Sequence, residues 1–161
     1  VLLASPLPPA CIILAKLVPY FIISCINLTA ILLLSFFLLH VPMAGSMVCF
    51  LGVTLLYILV SLTLGLLIST LVSTQIAAMI LSLLLIVPTI YLSGLVFPLE
   101  SMPSILRGLS AVVPARWYID AARKLMIQGS SAVYVAADAA VMAVMEVVLL
   151  GVSLRLFKVR L

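Results

Sequence analysis

The stretch "YLSGLVFPLESMPSILRGLSAVVPARWY", residues 91–118, ends a long apolar run and opens a segment punctuated by Gly94, Pro98, Glu100, Pro103 and Arg107. Upstream of Glu100 there is no Lys, Arg, Asp or Glu until Lys16, and His40 is the one side chain in that interval that titrates near neutrality. Such an interval is solvated by lipid or by protein. It far exceeds the roughly 20 residues of one membrane span, so it must fold back on itself. The sequence offers two places to turn, "HVPMAGS" at 40–46 and "STLVSTQ" at 69–75. A last apolar run follows the polar segment and ends in "RLFKVRL".

Composition agrees with this reading. The chain is 67% hydrophobic and 7% charged, with a mean hydropathy of +1.53, whereas a soluble domain carries about 25% charged residues. A water-soluble globule is excluded. The expected fold is an all-α integral membrane protein with four transmembrane helices and short interfacial or re-entrant helices before the last span. The spans are expected at 17–39, 47–72, 76–97 and 133–157. Residues 1–16 precede them, 40–46 and 73–75 are turns, 98–132 is a connector and 158–161 is a tail. With Val1 in first place and no start methionine, the sequence reads as a piece of a longer protein.

Helix signals support the individual spans. Pro9 can open a helix, because proline lacks the N–H that a first turn does not use. Pro19 then falls in the first turns of the first span. The second span carries Ser61, Gly65, Ser69 and Ser73 at four-residue intervals; small residues on one face let another helix approach closely, which predicts a packing seam. The third contains Pro88, followed by Thr89, Tyr91, Ser93 and Gly94. Proline removes a helical hydrogen bond, and interrupted spans often line transport routes, so Pro88 is either an ordinary kink or part of a pathway.

The opening stretch keeps apolar residues at helical spacing (Ile105, Leu106, Leu109, Val112, Val113) between two prolines, too short to span and suited to the membrane interface. In "ARWYIDAARKLMIQG", Trp117 and Tyr118 are expected as interfacial anchors, Gly129 as a helix stop, and Asp120 with Lys124 as an i,i+4 pair. Asp138 and Glu146 lie about 12 Å apart on one face of the last span. A carboxylate within a membrane is costly, which leaves two readings: a polar interhelical contact with Asp138 at the membrane edge, or proton coupling.

Other chemistry is missing from the sequence. There is no phosphate-binding G-x-x-x-x-G-K-S/T loop, no G-x-S-x-G elbow and no catalytic histidine constellation, so no enzymatic activity is expected. Cys11, Cys25 and Cys49 lack metal-site spacing and read as small apolar residues; no catalytic, metal or cofactor site is expected. Basic residues divide evenly between the two expected faces, Lys16, Arg155, Lys158 and Arg160 against Arg107, Arg116, Arg123 and Lys124. The wholly basic tail favours a cytoplasmic C-terminus.

Four segments, "ASPLPPACIILAKLVPYF" (4–21), "LGLLISTLVSTQIAAM" (64–79), "LSGLVFPLESMP" (92–103) and "VPARWYIDAARKLMIQG" (113–129), resemble in order and spacing the membrane subunits of ABC-2 type exporters, especially drug-efflux-like permeases. That resemblance implies spans three to six of a six-span subunit, a homo- or heterodimer in the bacterial inner membrane, and separate subunits that bind ATP and magnesium. It implies a cytoplasmic coupling element around Ser5, Pro6, Leu7 and Pro9, with 40–46 and the 98–132 connector outside and 73–75 and the tail inside. It further implies a pathway or hinge at Ser82, Pro88, Tyr91, Ser93 and Gly94, an outer gate at Phe97, Pro98 and Pro103, and a hydrophobic or amphipathic substrate. Two other classes stay open: a proton-coupled secondary transporter using Asp138 and Glu146, and a membrane scaffold that moves no substrate. No nucleic-acid partner is expected.

Overall fold

The computed structural model describes residues 9–38, 40, 44–129 and 132–160. Its elements in chain order are α1 (Pro9–Phe37), α2 (Met47–Leu71), α3 (Gln75–Leu92), a 3₁₀ turn (Leu99–Ser101), α4 (Ser104–Ser110), α5 (Pro114–Met126) and α6 (Ala132–Arg160). No strand occurs among the described residues. Among the described residues four helices are long and apolar enough to cross a membrane, and the chain is an all-α integral membrane protein.

α1 and α6 are each 29 residues long, about 43 Å as helix. That exceeds a hydrocarbon core of about 30 Å, so both helices reach past it. α1 starts at Pro9 and runs without interruption into the apolar span, which leaves Pro19 inside the helix instead of in its first turns. Of the four membrane-crossing helices α3 is the shortest, at 18 residues. Its N-terminus is capped by the Thr74 hydroxyl, which accepts from the Ala77 N–H at 3.2 Å, satisfying one of the donors a helix start leaves open. The helix passes through Pro88 and ends at Leu92, short of the expected 97. The Ser93 hydroxyl donates to the Ile90 carbonyl at 2.8 Å and accepts from the Leu95 N–H at 3.3 Å, and Gly94 takes φ +82°. Those local bonds and the left-handed residue turn the chain out of the helix.

The centre is made by three helices. Phe50, Val53 and Val60 of α2 meet Ala121 and Leu125 of α5 and Val135 and Met142 of α6. In lipid these contacts are favoured by close packing more than by removal from water, because lipid tails are as apolar as the side chains. α5 therefore does not merely lie on the surface: Ala121 and Leu125 are almost wholly enclosed. α1 packs on α2 and α6, and α3 stands at the side against α2, α4 and α5. No residue of α3 is buried.

The loop before α2 settles onto the end of α5. The Ala44 N–H donates to the Met126 carbonyl at 3.3 Å, and a Cβ added at Gly45 would stand 2.5 Å from the Leu125 carbonyl oxygen. Gly129, expected as a helix stop, follows the end of α5 at φ +58° and faces Ala44. One end of the bundle thus gathers the α1–α2 loop, the end of α3, the connector and the start of α6. The other holds the start of α1, the 72–74 turn and the end of α6.

Candidate functional site

At the connector end, α4 and α5 form a braced hairpin. Arg116 donates to the Arg107 carbonyl at 3.0 Å and to the Ser110 hydroxyl at 2.7 Å, and its guanidinium lies 5.2 Å from the centre of the Trp117 ring. Trp117 Nε1 donates to the Ala111 carbonyl at 2.9 Å. Tyr118, expected as an interfacial anchor, stacks on Tyr57 of α2 with ring centres 4.4 Å apart and shares a 3.3 Å hydrogen bond with Thr54. These aromatics fasten the hairpin to the bundle. Ile105, Leu109 and Val112 remain exposed on the face of α4 and the turn after it, where a membrane interface would accept them.

Between this hairpin and α3 lies a cleft of about 490 Å³. Pro88 and Tyr91, expected on a pathway, and Phe97 and Pro103, expected at a gate, all line it, together with Met102 and Leu106. Tyr91 and Phe97 stack at 5.9 Å between centres. Pro98 precedes the 3₁₀ turn, and its carbonyl accepts from the Ser101 N–H at 3.0 Å. Ser82 is not part of the cleft; its hydroxyl donates to the Ala78 carbonyl one turn back at 2.8 Å. Ser93 is buried in the turn that ends α3, and Arg123 of α5 donates to the Gly94 carbonyl at 3.4 Å. This Arg123–Gly94 contact was not signalled by any spacing in the sequence.

A second polar region runs along the α2–α5–α6 seam. Lys124 Nζ lies 2.7 Å from Asp138 Oδ2 and 2.9 Å from Asp120 Oδ2. The expected i,i+4 pair on α5 is therefore part of a three-residue bridge, and Asp138, expected in a polar interhelical contact, makes one with α5 and is enclosed at 3% exposure. Burial on its own would lower the Lys124 pKa, but hydrogen bonds to Asp138 and Asp120 and their charges hold it above the ordinary lysine value. Two turns further along α6, Glu146 is buried, with Oε1 accepting from the Thr63 hydroxyl at 2.8 Å and Oε2 without a partner among the described residues. Thr63 is the partner the sequence could not name, since nothing in α2 marks which hydroxyl faces α6.

The small-residue row of α2 lies on an exposed face of this chain. Ser61, Gly65 and Ser69 are exposed and, with Lys16, Leu17, Tyr20, Leu62 and Leu66, line an open groove of about 440 Å³ between α1 and α2. A Cβ at Gly65 would meet nothing within 4 Å, and Ser73 falls in the exposed turn after α2. The tight seam of α2 is instead the Phe50, Val53, Val60 and Thr63 face. Of the expected coupling residues, Ser5, Pro6 and Leu7 lie outside the described residues, while Pro9 opens α1. Among the described residues no three His, Cys, Asp or Glu come together as a metal site.

The family described as ABC-2 type transporter matches residues 1–127. The chain belongs to that family. Two similar proteins of Escherichia coli (strain K12) are named "Probable multidrug ABC transporter permease YbhS" and "Probable multidrug ABC transporter permease YbhR". The first is 30% identical over 153 residues, 94% of this chain and 41% of that protein. The second is 35% identical over 130 residues, 81% of this chain and 35% of that protein. The chain thus spans about two fifths of the length of these relatives or less. No solved structure matches it. It is integral to the membrane, and its relatives and its four apolar helices support a bacterial inner membrane as its location.

Proposed function

We propose that this chain is the C-terminal membrane portion of a permease subunit in an ATP-driven exporter. Two such subunits form the pathway, and ATP and magnesium are bound and consumed on separate ATP-binding subunits. The permease makes and breaks no covalent bond. The observation that carries this reading is α3. It is an apolar helix with no buried residue, joined to the bundle at its side, and its Pro88 and Tyr91 open onto the cleft with Phe97 and Pro103. A second subunit facing α3 would complete both the helix packing and the passage for a hydrophobic or amphipathic substrate.

Motion would enter through the segment around Ser5, Pro6, Leu7 and Pro9 and travel along α1, which continues as one helix from Pro9 to Phe37. An equilibrium shifts only if the two nucleotide states favour different arrangements of the membrane helices. α3 is the element best placed to differ. It ends in the Gly94 turn held by Arg123, whereas α2, α5 and α6 share the packed centre. Under this reading, the start of α1 and the α6 tail face the cytoplasm, and the connector with its gate residues faces outside.

The test is transport by the full-length parent protein reconstituted with its ATP-binding partner. ATP-dependent efflux that falls when Tyr91 is replaced by Ala supports the reading; efflux independent of ATP overturns it. A second reading, proton-driven transport, draws on the unpartnered Glu146 Oε2. Asp138 is engaged by Lys124, which leaves Glu146 to carry any proton alone. Glu146→Gln should then abolish gradient-driven flux.

A further inference from the structure

We propose that Arg123 is the latch of the cleft beside α3: its bond to the Gly94 carbonyl holds the end of α3 against α5, and its release lets α3 swing away from α4 and widen the cleft. The inference rests on the exporter reading, in which this cleft is the passage, and adds the bond that controls it. Both walls of the cleft belong to one stretch of chain that doubles back at Gly94. Pro88 and Tyr91 come before the turn, and Met102, Pro103 and Leu106 come after it. Gly94 is buried at φ +82°, beyond the last helical residue, so its carbonyl belongs to no helical ladder and takes a donor from another element. A Cβ there would stand 3.2 Å from Leu99 Cγ, which shows how closely the following 3₁₀ turn packs on the same residue. What pins Gly94 therefore pins the place where the two walls join.

α5 is the platform to which three neighbours are tied, and the ties differ in strength. Arg116 and Trp117 hold α4 and the turn after it through three hydrogen bonds of 2.7 to 3.0 Å. Lys124 holds α6 through the enclosed Asp138 at 2.7 Å. Arg123, next to Lys124 in sequence, holds the turn after α3 through one bond of 3.4 Å, the longest of the set and past the usual range of about 2.7–3.2 Å. That tie yields first. Packing does not compensate for it, because no residue of α3 is buried, whereas Ala115, Ala121 and Leu125 fix α5 in the bundle. Arg123 is itself exposed, so letting go strands no buried charge. The wall made by α4 thus stays with α5 while the wall made by α3 is free to move.

The experiment uses the full-length parent protein in lipid nanodiscs without nucleotide, its native cysteines replaced and spin labels attached at Ile90→Cys on α3 and Leu109→Cys on α4, both exposed positions. Electron paramagnetic resonance then reads the separation across the cleft. Arg123→Met keeps an apolar stem and removes the donor. It should shift the label pair to longer separation, raising the ratio of open to closed molecules about tenfold, the low end for a charge-assisted bond. Arg123→Gln, shorter and uncharged, removes the bond independently and should shift the pair the same way. Arg123→Lys, which keeps a cationic N–H donor, should restore the wild-type separation. A bond that only stabilises the fold would lower the melting temperature and leave the separation unchanged. An unchanged separation in the Met and Gln variants would overturn the proposal, as would a longer one that Arg123→Lys shares. The readout needs neither substrate nor ATP, so its failure is distinct from failure of the exporter reading, which shows as efflux independent of ATP.

Discussion

Lys124 of α5 reaches Asp138 of α6 at 2.7 Å, and the same ammonium holds Asp120 at 2.9 Å. This bridge ties a short amphipathic helix to a membrane span across 14 residues of sequence. Asp138 is the enclosed member, so its charge depends on the lysine. Removing Lys124 with Lys124→Met leaves a buried carboxylate unpaired and should destabilise the permease by about 3–5 kcal/mol. Asp120→Asn removes the more exposed partner and should cost at most about 1 kcal/mol. Thermal unfolding of the parent protein in detergent distinguishes the two.

The same bridge has a pH signature. The Lys124 pKa is raised in the fold, through its Asp138 and Asp120 bonds and against the effect of burial. Its stabilising contribution is therefore complete below the ordinary value of 10.5 and fades as pH rises through the higher folded value. Alkaline unfolding should begin at lower pH in Asp138→Asn than in the wild type, measured by the same melting assay across pH 9 to about 12.

Glu146 and Thr63 make a separate prediction. Thr63→Val removes the one hydrogen bond that the described residues give the buried carboxyl and should cost about 1–3 kcal/mol, the scale of leaving a buried polar group unpaired. Glu146→Gln keeps an acceptor for the Thr63 hydroxyl. ATP-driven efflux should survive it with little change, because on this account Glu146 holds α6 against α2 and carries no proton. Efflux assays on the two variants, beside their melting temperatures, separate a structural role from a coupling role.

Two glycines should behave oppositely. Gly45→Ala places a methyl 2.5 Å from the Leu125 carbonyl oxygen, a backbone atom that cannot swing aside, and overpacking of that kind costs about 1–3 kcal/mol. Gly65→Ala meets nothing within 4 Å, and alanine is the better helix former by about 1 kcal/mol. Unfolding measurements should place Gly45→Ala below the wild type and Gly65→Ala level with it or above.

Much of the fold could be read from residues alone, because the physics involved is local. Four apolar helices follow from the uncharged interval between Lys16 and Glu100 and the final apolar run, and Pro9 starts a helix because the N–H it lacks is one a first turn does not use. The end of α3 was harder. Apolar residues continue through Leu95, Val96 and Phe97, and only the Ser93 hydroxyl bonds and the positive φ of Gly94 stop the helix at Leu92.

What a face meets is less legible than which residues share it. Ser61, Gly65 and Ser69 have the spacing of a packing seam, yet they line an open groove. Trp117 and Tyr118 have the look of interfacial anchors, yet Tyr118 packs on Tyr57. Pro88, Tyr91, Phe97 and Pro103 do converge on one cleft, since the chain doubles back through Gly94 and Pro98 within a few residues. Lys124 with Asp138 and Thr63 with Glu146 required the tertiary arrangement, because each pair joins different helices.

The central claim is that this permease works only with an ATP-hydrolysing partner. The most direct measurement is to purify the full-length parent protein from membranes in mild detergent, identify what accompanies it, and measure ATP hydrolysis and efflux after Pro6 and Leu7 are replaced. The account predicts a stably bound ATP-binding subunit whose hydrolysis continues in those variants while efflux falls. A parent protein that carries no such subunit, and that moves substrate down a proton gradient in vesicles without ATP, would contradict it.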